Sequence, residues 1–449
     1  MSTLNLLRPE INELLAKQDW DSLREVLLEF PEQDIAELLQ ELDDERRLVL
    51  LRLLPRDILP EVFSYLDDTM KKDVMKAVTE EEIKIILAGM PPDDRTDFLE
   101  TLPGRSIQML VSLLSPDDRR ETLQLLGYPA ESVGRLMTPD YVAVRPEWTV
   151  QEALDHIRRK GLDSETINII YVTDRYWHLL GVVGLRRLIL ARPDERIEEI
   201  METNVVTISP LEDREKAVQT IQHYDVIALP VVDGDGVMLG IITVDDLFDV
   251  AVEEVTEDFQ KSAAVKPLKT SYRESSALAL YRKRVVWLAS LLGISVVTTG
   301  IISWRAETLS SAIALAFFIP LLIGTGGNTG NQSSTLMIRA LATGDIKDRQ
   351  WINALFREIV IGCLLALTMG AASWILGLIK GGAQIAAIVS LSMMAIVIVS
   401  SLLGVVLPIV LQRFRIDPAV ASNPLIASVM DIVGLLIYFQ IATTILKGF

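Results

Sequence analysis

The sequence predicts a multidomain membrane protein. It comprises an all-α superhelical N-terminal domain, an α/β tandem repeat, an acidic connecting helix and a five-helix transmembrane domain. Three observations support this: a twelve-residue apolar repeat, a later switch to alternating strands and helices, and long uncharged apolar stretches toward the C-terminus. Half of the 449 residues are hydrophobic, yet the net charge is -18 and is concentrated in the first 284 residues. Such asymmetry indicates differently solvated domains and argues against a nucleic acid partner.

The N-terminal domain, predicted over residues 1–130, contains the twelve-residue repeat. Each unit ends on an apolar residue, has another three positions earlier, and is followed by a residue that stops or caps a helix. The end residues are Phe30, Leu42, Leu54, Leu66, Val78, Met90, Leu102, Leu114 and Leu126, and their partners are Leu27, Leu39, Leu51, Phe63, Met75, Leu87, Leu99, Val111 and Leu123. Short helices repeated in this way stack around a continuous core. Asp93, Asp94 and Asp97 form an acidic cluster on this domain, and a solvated face is the simplest interpretation of each one.

Residues 131–249 change to short β-branched runs that alternate with helical segments. Strands are predicted at Tyr141–Val144, Ile169–Val172, Val205–Ile208, Leu229–Val232 and Leu239–Ile242, with helices around 149–160 and 212–223. The unit that begins at Met137 returns at Met201, so the segment is a tandem repeat. This tandem resembles a pair of CBS domains, modules that often sense adenine nucleotides or ions.

The CBS resemblance implies at most one intact nucleotide site. The family's ribose-phosphate motif is met in the second copy by Gly240, Thr243 and Asp246. The first copy has Gly184 and Arg187 at the corresponding threonine and aspartate positions. ATP is therefore a possible ligand of the pair, through Thr243 and Asp246.

An acidic amphipathic segment follows, and we predict a connecting helix over residues 245–284. Its acids are Asp245, Asp246, Asp249, Glu253, Glu254, Glu257 and Asp258. Several of them are like-charge neighbours three or four positions apart, which destabilises an isolated helix unless cations lie between them. The position between a sensor and the membrane indicates a cation-responsive linker; an ordinary solvated helix face is the alternative.

The transmembrane domain, predicted over residues 285–449, contains five apolar stretches. They cover roughly 285–304, 311–341, 354–379, 384–412 and 419–446. Each is long enough for a hydrocarbon core that requires about 20 apolar residues per helix. Lys and Arg collect in the loops on one side, which places the N-terminus in the cytoplasm and the C-terminus outside a plasma membrane.

A glycine-rich run over 320–332 looks unlike a lipid-facing helix. It contains Gly324, Gly327, Asn328 and Asn331, and we expect an uncoiled backbone whose carbonyls, with the amide oxygens, suit a hydrated cation. The alternative is a helix that packs small residues against a neighbour.

Asp431 is predicted to be the only acid deep inside a span. A lone charge there costs about 3 kcal/mol on insertion scales, so it must face a cavity, a partner or an ion. Ion binding is the expected role, with Asn423 as a further oxygen donor, and a structural hydrogen bond is the alternative. No histidine, cysteine or second carboxylate converges on this half, which favours a hard cation held by oxygen.

The order of these elements, together with the run 324–332 and the pattern Asp417-Pro, Asn423-Pro and Asp431, resembles the MgtE magnesium transporter family over essentially the whole chain. The resemblance implies a Mg²⁺-selective channel or transporter for uptake across the plasma membrane. It also implies a homodimer whose pore on the two-fold axis is lined by the second and fifth spans, with Asp431 from each subunit as the selectivity carboxylate.

The same resemblance implies closure by cytosolic Mg²⁺ that bridges the helical domain, the CBS pair and the connecting, or plug, helix. The sensor acids that it assigns are Asp93, Asp94, Asp97, Asp225, Asp245, Asp246, Asp249, Glu254, Glu257 and Asp258, and Glu253 belongs to the same acidic run. Other functional classes fit less well. The three histidines are scattered and form no catalytic constellation, so an enzyme is not expected. A non-transporting divalent-cation sensor, or a carrier of Co²⁺ or Mn²⁺, remains an alternative.

Overall fold

The structure, a computed structural model, describes residues 3–268, 272, 275–342, 345–346, 350–414, 416–420 and 423–447. The extreme C-terminus and parts of the basic loops, on which the predicted topology relies, lie outside these residues. The chain divides into two compact units, Met1–Glu253 and Glu254–Phe449.

The N-terminal part of the first unit is all-helical. Its helices are α1 (Thr3–Lys17), α2 (Trp20–Leu27), α3 (Glu32–Glu41), α4 (Asp44–Leu53), α5 (Leu59–Ser64), α6 (Asp68–Ala77), α7 (Glu80–Gly89), α8 (Pro92–Glu100), α9 (Gly104–Leu113) and α10 (Pro116–Leu126). The twelve-residue repeat is visible in their N-caps. Asp43, Asp67, Thr79 and Ser115 each accept a hydrogen bond from a backbone N–H in the first turn, and all four share one twelve-residue phase. Each unit is therefore one helix with its own start signal.

The predicted core of this repeat forms, with one exception. Leu27, Leu39 and Leu87 are fully buried in one apolar cluster. Leu123 was expected to join them, but it is 54% exposed, because α10 instead turns Thr122 and Leu125 inward. The twelve-residue apolar pattern therefore does not predict the buried face of α10, the last helix of the repeat.

The α/β part of the first unit follows. Its elements are α11 (Val133–Leu136), β1 (Tyr141–Val144), α12 (Val150–Lys160), β2 (Thr166–Thr173), β3 (Leu179–Gly184), α13 (Leu185–Leu190), α14 (Ile197–Ile200), α15 (Arg214–Tyr224), β4 (Ala228–Val232), β5 (Met238–Thr243) and α16 (Val244–Ser262). β2 lies between parallel β1 and antiparallel β3, and β4 pairs antiparallel with β5.

The strand predicted at 205–208 is wrong. Only one isolated parallel bridge, Ile208 to Val231, forms there, with the Ile208 N–H donating to the Pro230 carbonyl at 3.1 Å. The next ladder bond toward Val206 would need an N–H at position 230, which proline lacks. The second copy of the repeat therefore keeps a two-stranded sheet.

The predicted connecting helix is interrupted. α16 ends at Ser262, and α17 (Ala277–Trp304) begins only after Ser276, whose hydroxyl accepts the Ala279 N–H. The segment 245–284 thus contains parts of two helices, and the described residues between them, 263–268, 272, 275 and 276, are not helical.

The second unit contains long apolar helices. After α17 come α18 (Ala306–Ser311), α19 (Ile319–Ala342), α20 (Trp351–Arg413) and α21 (Asn423–Lys447), with short 3₁₀ turns at Ile313–Phe318 and Pro418–Val420. Four segments of the described chain are long and apolar enough to cross a membrane: Ala277–Trp304, Ile313–Leu341, Trp351–Arg413 and Asn423–Lys447.

The chain reverses direction inside α20. Gly382 has φ 77° and ψ -174°, a non-helical conformation in the middle of 63 residues. On either side, the Ser390 hydroxyl donates to the Gly370 carbonyl at 2.8 Å, and a Cβ on Gly377 would lie 2.4 Å from Ala386 Cα. The two halves of α20 therefore pack against each other.

The glycine-rich run is helical, so the expectation of an uncoiled backbone is wrong. α19 continues from Ile319 to Ala342. A Cβ on Gly326 would lie 2.6 Å from Ile396 Cγ2, and one on Gly330 would lie 2.8 Å from Ile426 Cγ2. These glycines let α19 approach α20 and α21 closely, which was the alternative interpretation.

Gly382→Ala should destabilise the membrane unit, because the glycine's backbone conformation is strained by about 1–3 kcal/mol for an L side chain. The measurement is the thermal unfolding midpoint of the full chain in detergent. Gly300→Ala, in open space within α17, is the control. Equal midpoints for the two variants would contradict the reversal at Gly382.

Candidate cation pathway and acidic sensor

Asp431 lies on α21 beside α19, and the two helices run antiparallel. A Cβ on Gly434 would lie 3.1 Å from Ile323 Cδ1, whereas at the other end the Thr335 hydroxyl donates to Asn423 Oδ1 at 3.5 Å. Between these points, a Cβ on Gly327 would lie 3.5 Å from the Ala427 Cβ. Asp431 is therefore level with the first part of the glycine-rich run.

The Asp431 carboxylate is half-buried, and the structure records no hydrogen bond or ion pair to it from any described residue. A structural hydrogen bond to a neighbouring helix was the main alternative to ion binding. No described residue supplies that bond, so the charge still needs compensation.

One face of α19 is polar and exposed. Gly324, Asn328, Gln332 and Thr335 follow one another at helical spacing, and all four are exposed. Hydrocarbon offers amide groups no hydrogen bonds, so this face must meet water or another protein surface. Gly324 and Asn328 therefore lie on this exposed face.

The other two predicted residues of the run point into the helix packing. Gly327 lies against Ala427, and Asn331 Oδ1 is buried without a hydrogen-bond partner among the described residues. An unpaired buried amide oxygen is costly, and it keeps its capacity to accept a hydrogen bond.

A second acid of the membrane unit lies near the beginning of α20 and has a hydrogen-bond partner. Glu358, in α20, accepts a hydrogen bond from the Ser333 hydroxyl at 2.6 Å, and Ser333 lies 3.4 Å from the Ser401 hydroxyl. The signal was present in the sequence as an acid within the third apolar stretch, with serines at 333 and 401. The contact joins α19 to both halves of α20.

The acids of α8 and α16 come together in the first unit. Removal from water and the negative charges of Asp246 and Asp94 raise the pKa of Asp93 well above its ordinary value. Removal from water also raises the pKa of Asp94, and Asp249 and Asp245 add to this effect. Asp93 Oδ1 is buried with no hydrogen-bond partner among the described residues. Carboxylates of α8 and α16 thus face one another, and the Lys71 ammonium is the positive charge that acts against the raised pKa of Asp94.

Glu165, just before β2, belongs to this cluster and was missed. Removal from water, followed by the charges of Asp246 and Asp245, raises its pKa to about 7. Its one nearby acid in sequence, Asp163, does not signal a contact with α16. Only the fold brings it to α16.

Two further acids have raised pKa values. Removal from water raises the pKa of Asp97 to about 6, although Asp97 keeps contact with solvent, and Glu253 lies near enough to contribute. Removal from water also raises the pKa of Asp246 to about 6, even though the Thr243 hydroxyl donates to its Oδ2 at 2.7 Å. Thr243 and Asp246, the two residues predicted to bind a nucleotide, are therefore hydrogen-bonded to each other.

Asp225, Glu254, Glu257 and Asp258 are the remaining predicted sensor residues. Asp225 ends α15 in a left-handed conformation, φ 55°, and its N–H donates to the Ile221 carbonyl. Glu254, Glu257 and Asp258 belong to the second unit. There Lys261 forms ion pairs with Glu257 and with Asp417.

The cluster fits a hydrated cation better than a bare one. Within the described part of the chain, no three His, Cys, Asp or Glu side chains converge closely enough to hold one metal ion directly. Mg²⁺ gives up its water reluctantly and is often bound through that water, which requires a wider arrangement of carboxylates. The acids of this cluster repel one another and have raised pKa values, and they lie around Asp93 Oδ1, which has no hydrogen-bond partner among the described residues. Together they provide such an arrangement.

Family models cover most of the chain. Residues 319–441 match the MgtE divalent cation transporter model, residues 30–131 match the MgtE intracellular N domain, and residues 133–194 and 197–253 match the CBS domain. The CBS resemblance of the α/β repeat is thereby confirmed.

Curated relatives are similar over the larger part of their length. A magnesium transporter MgtE from Thermus thermophilus is 43% identical over 329 residues, which is 72% of each chain. A magnesium transporter MgtE from Bacillus subtilis is 37% identical over 328 residues, again 72% of each.

Two solved structures resemble the chain. A crystal structure of the soluble part of a magnesium transporter matches with a TM-score of 0.54 and 32% identity, covering 56% of this chain and 99% of that one. The cytosolic domain of the Mg²⁺ channel MgtE in complex with ATP matches with a TM-score of 0.52 and 40% identity, covering 54% and 98%.

The acidic cluster predicts a pH dependence. The folded-state pKa values of Asp246 and Glu165, about 6 and about 7, exceed the ordinary values of 3.8 and 4.5. At a pH between the ordinary and the folded-state values, these two carboxyl groups are therefore protonated in the folded form and ionised in the unfolded form. The stability that they contribute is fully present below about pH 4 and is lost as the pH rises through 6 to 7.

In metal-free buffer, amide exchange in α8, corrected for its intrinsic pH dependence, should accelerate between pH 5 and pH 8, and a divalent cation should reverse the change. Glu165→Gln should reduce the pH-dependent change in the free energy of opening of α8 by about 1 kcal/mol. This value is discounted because the Glu165 side chain is partly exposed to solvent. Glu147→Gln, an exposed acid outside the cluster, serves as the control. A pH-independent α8 would contradict the cluster.

Proposed function

This chain belongs to the MgtE family of magnesium transporters, and from that premise we propose how its residues pass Mg²⁺ and respond to it. It is a membrane transporter for Mg²⁺ uptake and not an enzyme. The observation that carries the proposed pathway is the exposed polar face of α19, level with an Asp431 carboxylate to which the described residues offer no partner.

The membrane domain has five spans in this proposal, because α20 crosses twice. As one straight helix, 63 residues would extend about 95 Å, three times the hydrocarbon thickness. The reversal at Gly382 yields two segments of about 30 residues, each of which matches the bilayer. The loops rich in Lys and Arg then lie in the cytoplasm, as does the N-terminus, and the C-terminus lies outside.

The pathway lies between α19 and α21 of two copies of the chain. A polar face on one subunit cannot line a sealed passage by itself, so a homodimer about a two-fold axis supplies the opposite wall. Each subunit contributes Asp431, with Gly324 and Asn328 at the same level and Asn423 toward the cytoplasmic end. Two carboxylates facing a hydrated dication compensate charges that neither could keep alone in hydrocarbon.

Cytosolic Mg²⁺ closes this pathway by neutralising the acidic cluster. Two unit charges 4 Å apart interact by about 4 kcal/mol at an effective dielectric constant of 20, and a two-state gate needs about 5.5 kcal/mol to move from 1:99 to 99:1. Bound ions among Asp93, Asp94, Asp246 and Asp249 supply free energy of that size. We include Glu165 in this site.

ATP is proposed as a ligand of the CBS pair through Thr243 and Asp246. The solved relative with ATP supports this, being 40% identical across the cytosolic domains. Because Asp246 also belongs to the acidic cluster, nucleotide and Mg²⁺ would act on the same carboxylate.

Asp431→Asn should lower Mg²⁺ uptake into liposomes by about two orders of magnitude, since the neutral amide no longer attracts the dication. The variant should still elute as the intact protein in detergent. Glu307→Gln, at an exposed acid between α17 and α19, is the matched control and should transport normally. Undiminished uptake by Asp431→Asn would refute the pore assignment.

Asp246→Asn with Asp249→Asn should leave currents open at internal Mg²⁺ concentrations that close the wild type, because fewer charges then require a cation. Patch recording during steps of internal Mg²⁺ is the measurement, and Glu147→Gln is again the control. Closure at the wild-type concentration would count against the sensor.

A further inference from the structure

Lys261 occupies a position between two carboxylates at the end of α16. Its ammonium group forms an ion pair with Glu257, one turn earlier in the same helix, and with Asp417 Oδ2 at 2.6 Å. Lys261 is 26% exposed and Asp417 36% exposed, so the contact is partly shielded from solvent. An ion pair that is partly buried and shared between two acids is screened less than a surface pair.

Asp417 connects this contact to the helix that carries the pore carboxylate. Its other oxygen, Oδ1, accepts the Ala419 N–H at 2.8 Å, which fixes the side chain to the 3₁₀ turn Pro418–Val420. α21 begins at Asn423, directly beyond that turn, and carries Asp431. An ammonium on α16 is therefore bound to the turn from which the pore helix starts.

The surroundings of Lys261 are acidic. Removal from water and the charge of Asp417 raise the pKa of Asp258, while Lys261 acts in the opposite direction. Glu257, Asp258 and Asp417 thus surround a single positive charge. Without that charge, like charges on α16 and on the turn before α21 would repel each other.

We propose that Lys261 is a tethered cation that fastens the end of α16 to the turn before α21, and that it thereby lowers the concentration of cytosolic Mg²⁺ needed to close the channel. The inference rests on the proposed closure by Mg²⁺. At this contact the lysine performs the task that bound Mg²⁺ performs in the acidic cluster of the first unit.

This assignment divides the sensor acids into two groups. Those around α8 require a dication, whereas Glu257, carried over from the family resemblance as a metal ligand, is already neutralised by the protein's own ammonium. Closure of the channel then requires fewer bound Mg²⁺ ions than the number of predicted sensor acids would indicate.

The test is Lys261→Met, which preserves the length of the side chain and removes its charge, in the full-length channel during steps of internal Mg²⁺. The half-closing Mg²⁺ concentration should rise about fivefold, which corresponds to about 1 kcal/mol of coupling. Current in the absence of internal Mg²⁺ should be unchanged. Lys266→Met is the matched control, because Lys266 forms no ion pair with any described residue, and it should close as the wild type does.

Two further variants keep the proposal falsifiable if Lys261→Met folds poorly. Lys261→Arg should close as the wild type does, and the charge exchange Lys261→Asp with Asp417→Lys should restore closure that Lys261→Asp alone impairs. A half-closing concentration that is unchanged or lower in Lys261→Met, or a charge exchange that restores nothing, would overturn the inference. If the wild type itself ignored internal Mg²⁺, the proposed gating would fail instead.

Discussion

Carboxylates that lie close together, or deep in hydrocarbon, are unstable unless a cation accompanies them, and this constraint connects both halves of the protein. In the membrane unit it applies to Asp431, for which the described residues provide no partner. In the first unit it applies to Asp93 and its neighbours, whose pKa values are raised by removal from water and by one another's negative charges, so that a positive charge would stabilise their ionised forms. At the end of α16 the demand is met by Lys261. One electrostatic requirement can thus serve both permeation and its regulation.

Helix packing in the membrane unit relies on the absence of side chains. Glycines at 326, 330, 377 and 404 bring neighbouring helices together at distances that a Cβ would not permit. Because one side of α19 packs through its glycines, its amides at 328 and 332 are left on the opposite, exposed face. The same helix therefore provides both close packing and an exposed polar surface, without any break in its backbone.

Local patterns predicted the elements well where a single period dominates. The twelve-residue repeat, β1 and the apolar stretches follow directly from spacing and composition.

Predictions failed where a partner strand or helix decides the outcome. Pro230 ends a ladder that Val205–Ile208 could otherwise have joined, and the glycines of α19 stay helical because adjacent helices bury them. Glu165 and Glu358 were missed for the same reason, since only tertiary contacts bring the acids of α16 to Glu165 and a serine donor to Glu358. Asp431 could be found from sequence because one charge in a long apolar run is conspicuous by itself.

The N-caps of the helical repeat also constrain how this domain can change. Since the caps at Asp43, Asp67, Thr79 and Ser115 share one twelve-residue phase, a single inserted residue inside a unit would rotate the following buried stripe by about 100°. The addition or removal of a whole unit, in contrast, preserves the core. Evolution of this region should therefore proceed by duplication and deletion of complete helices, so that natural variation in its length occurs in steps of twelve.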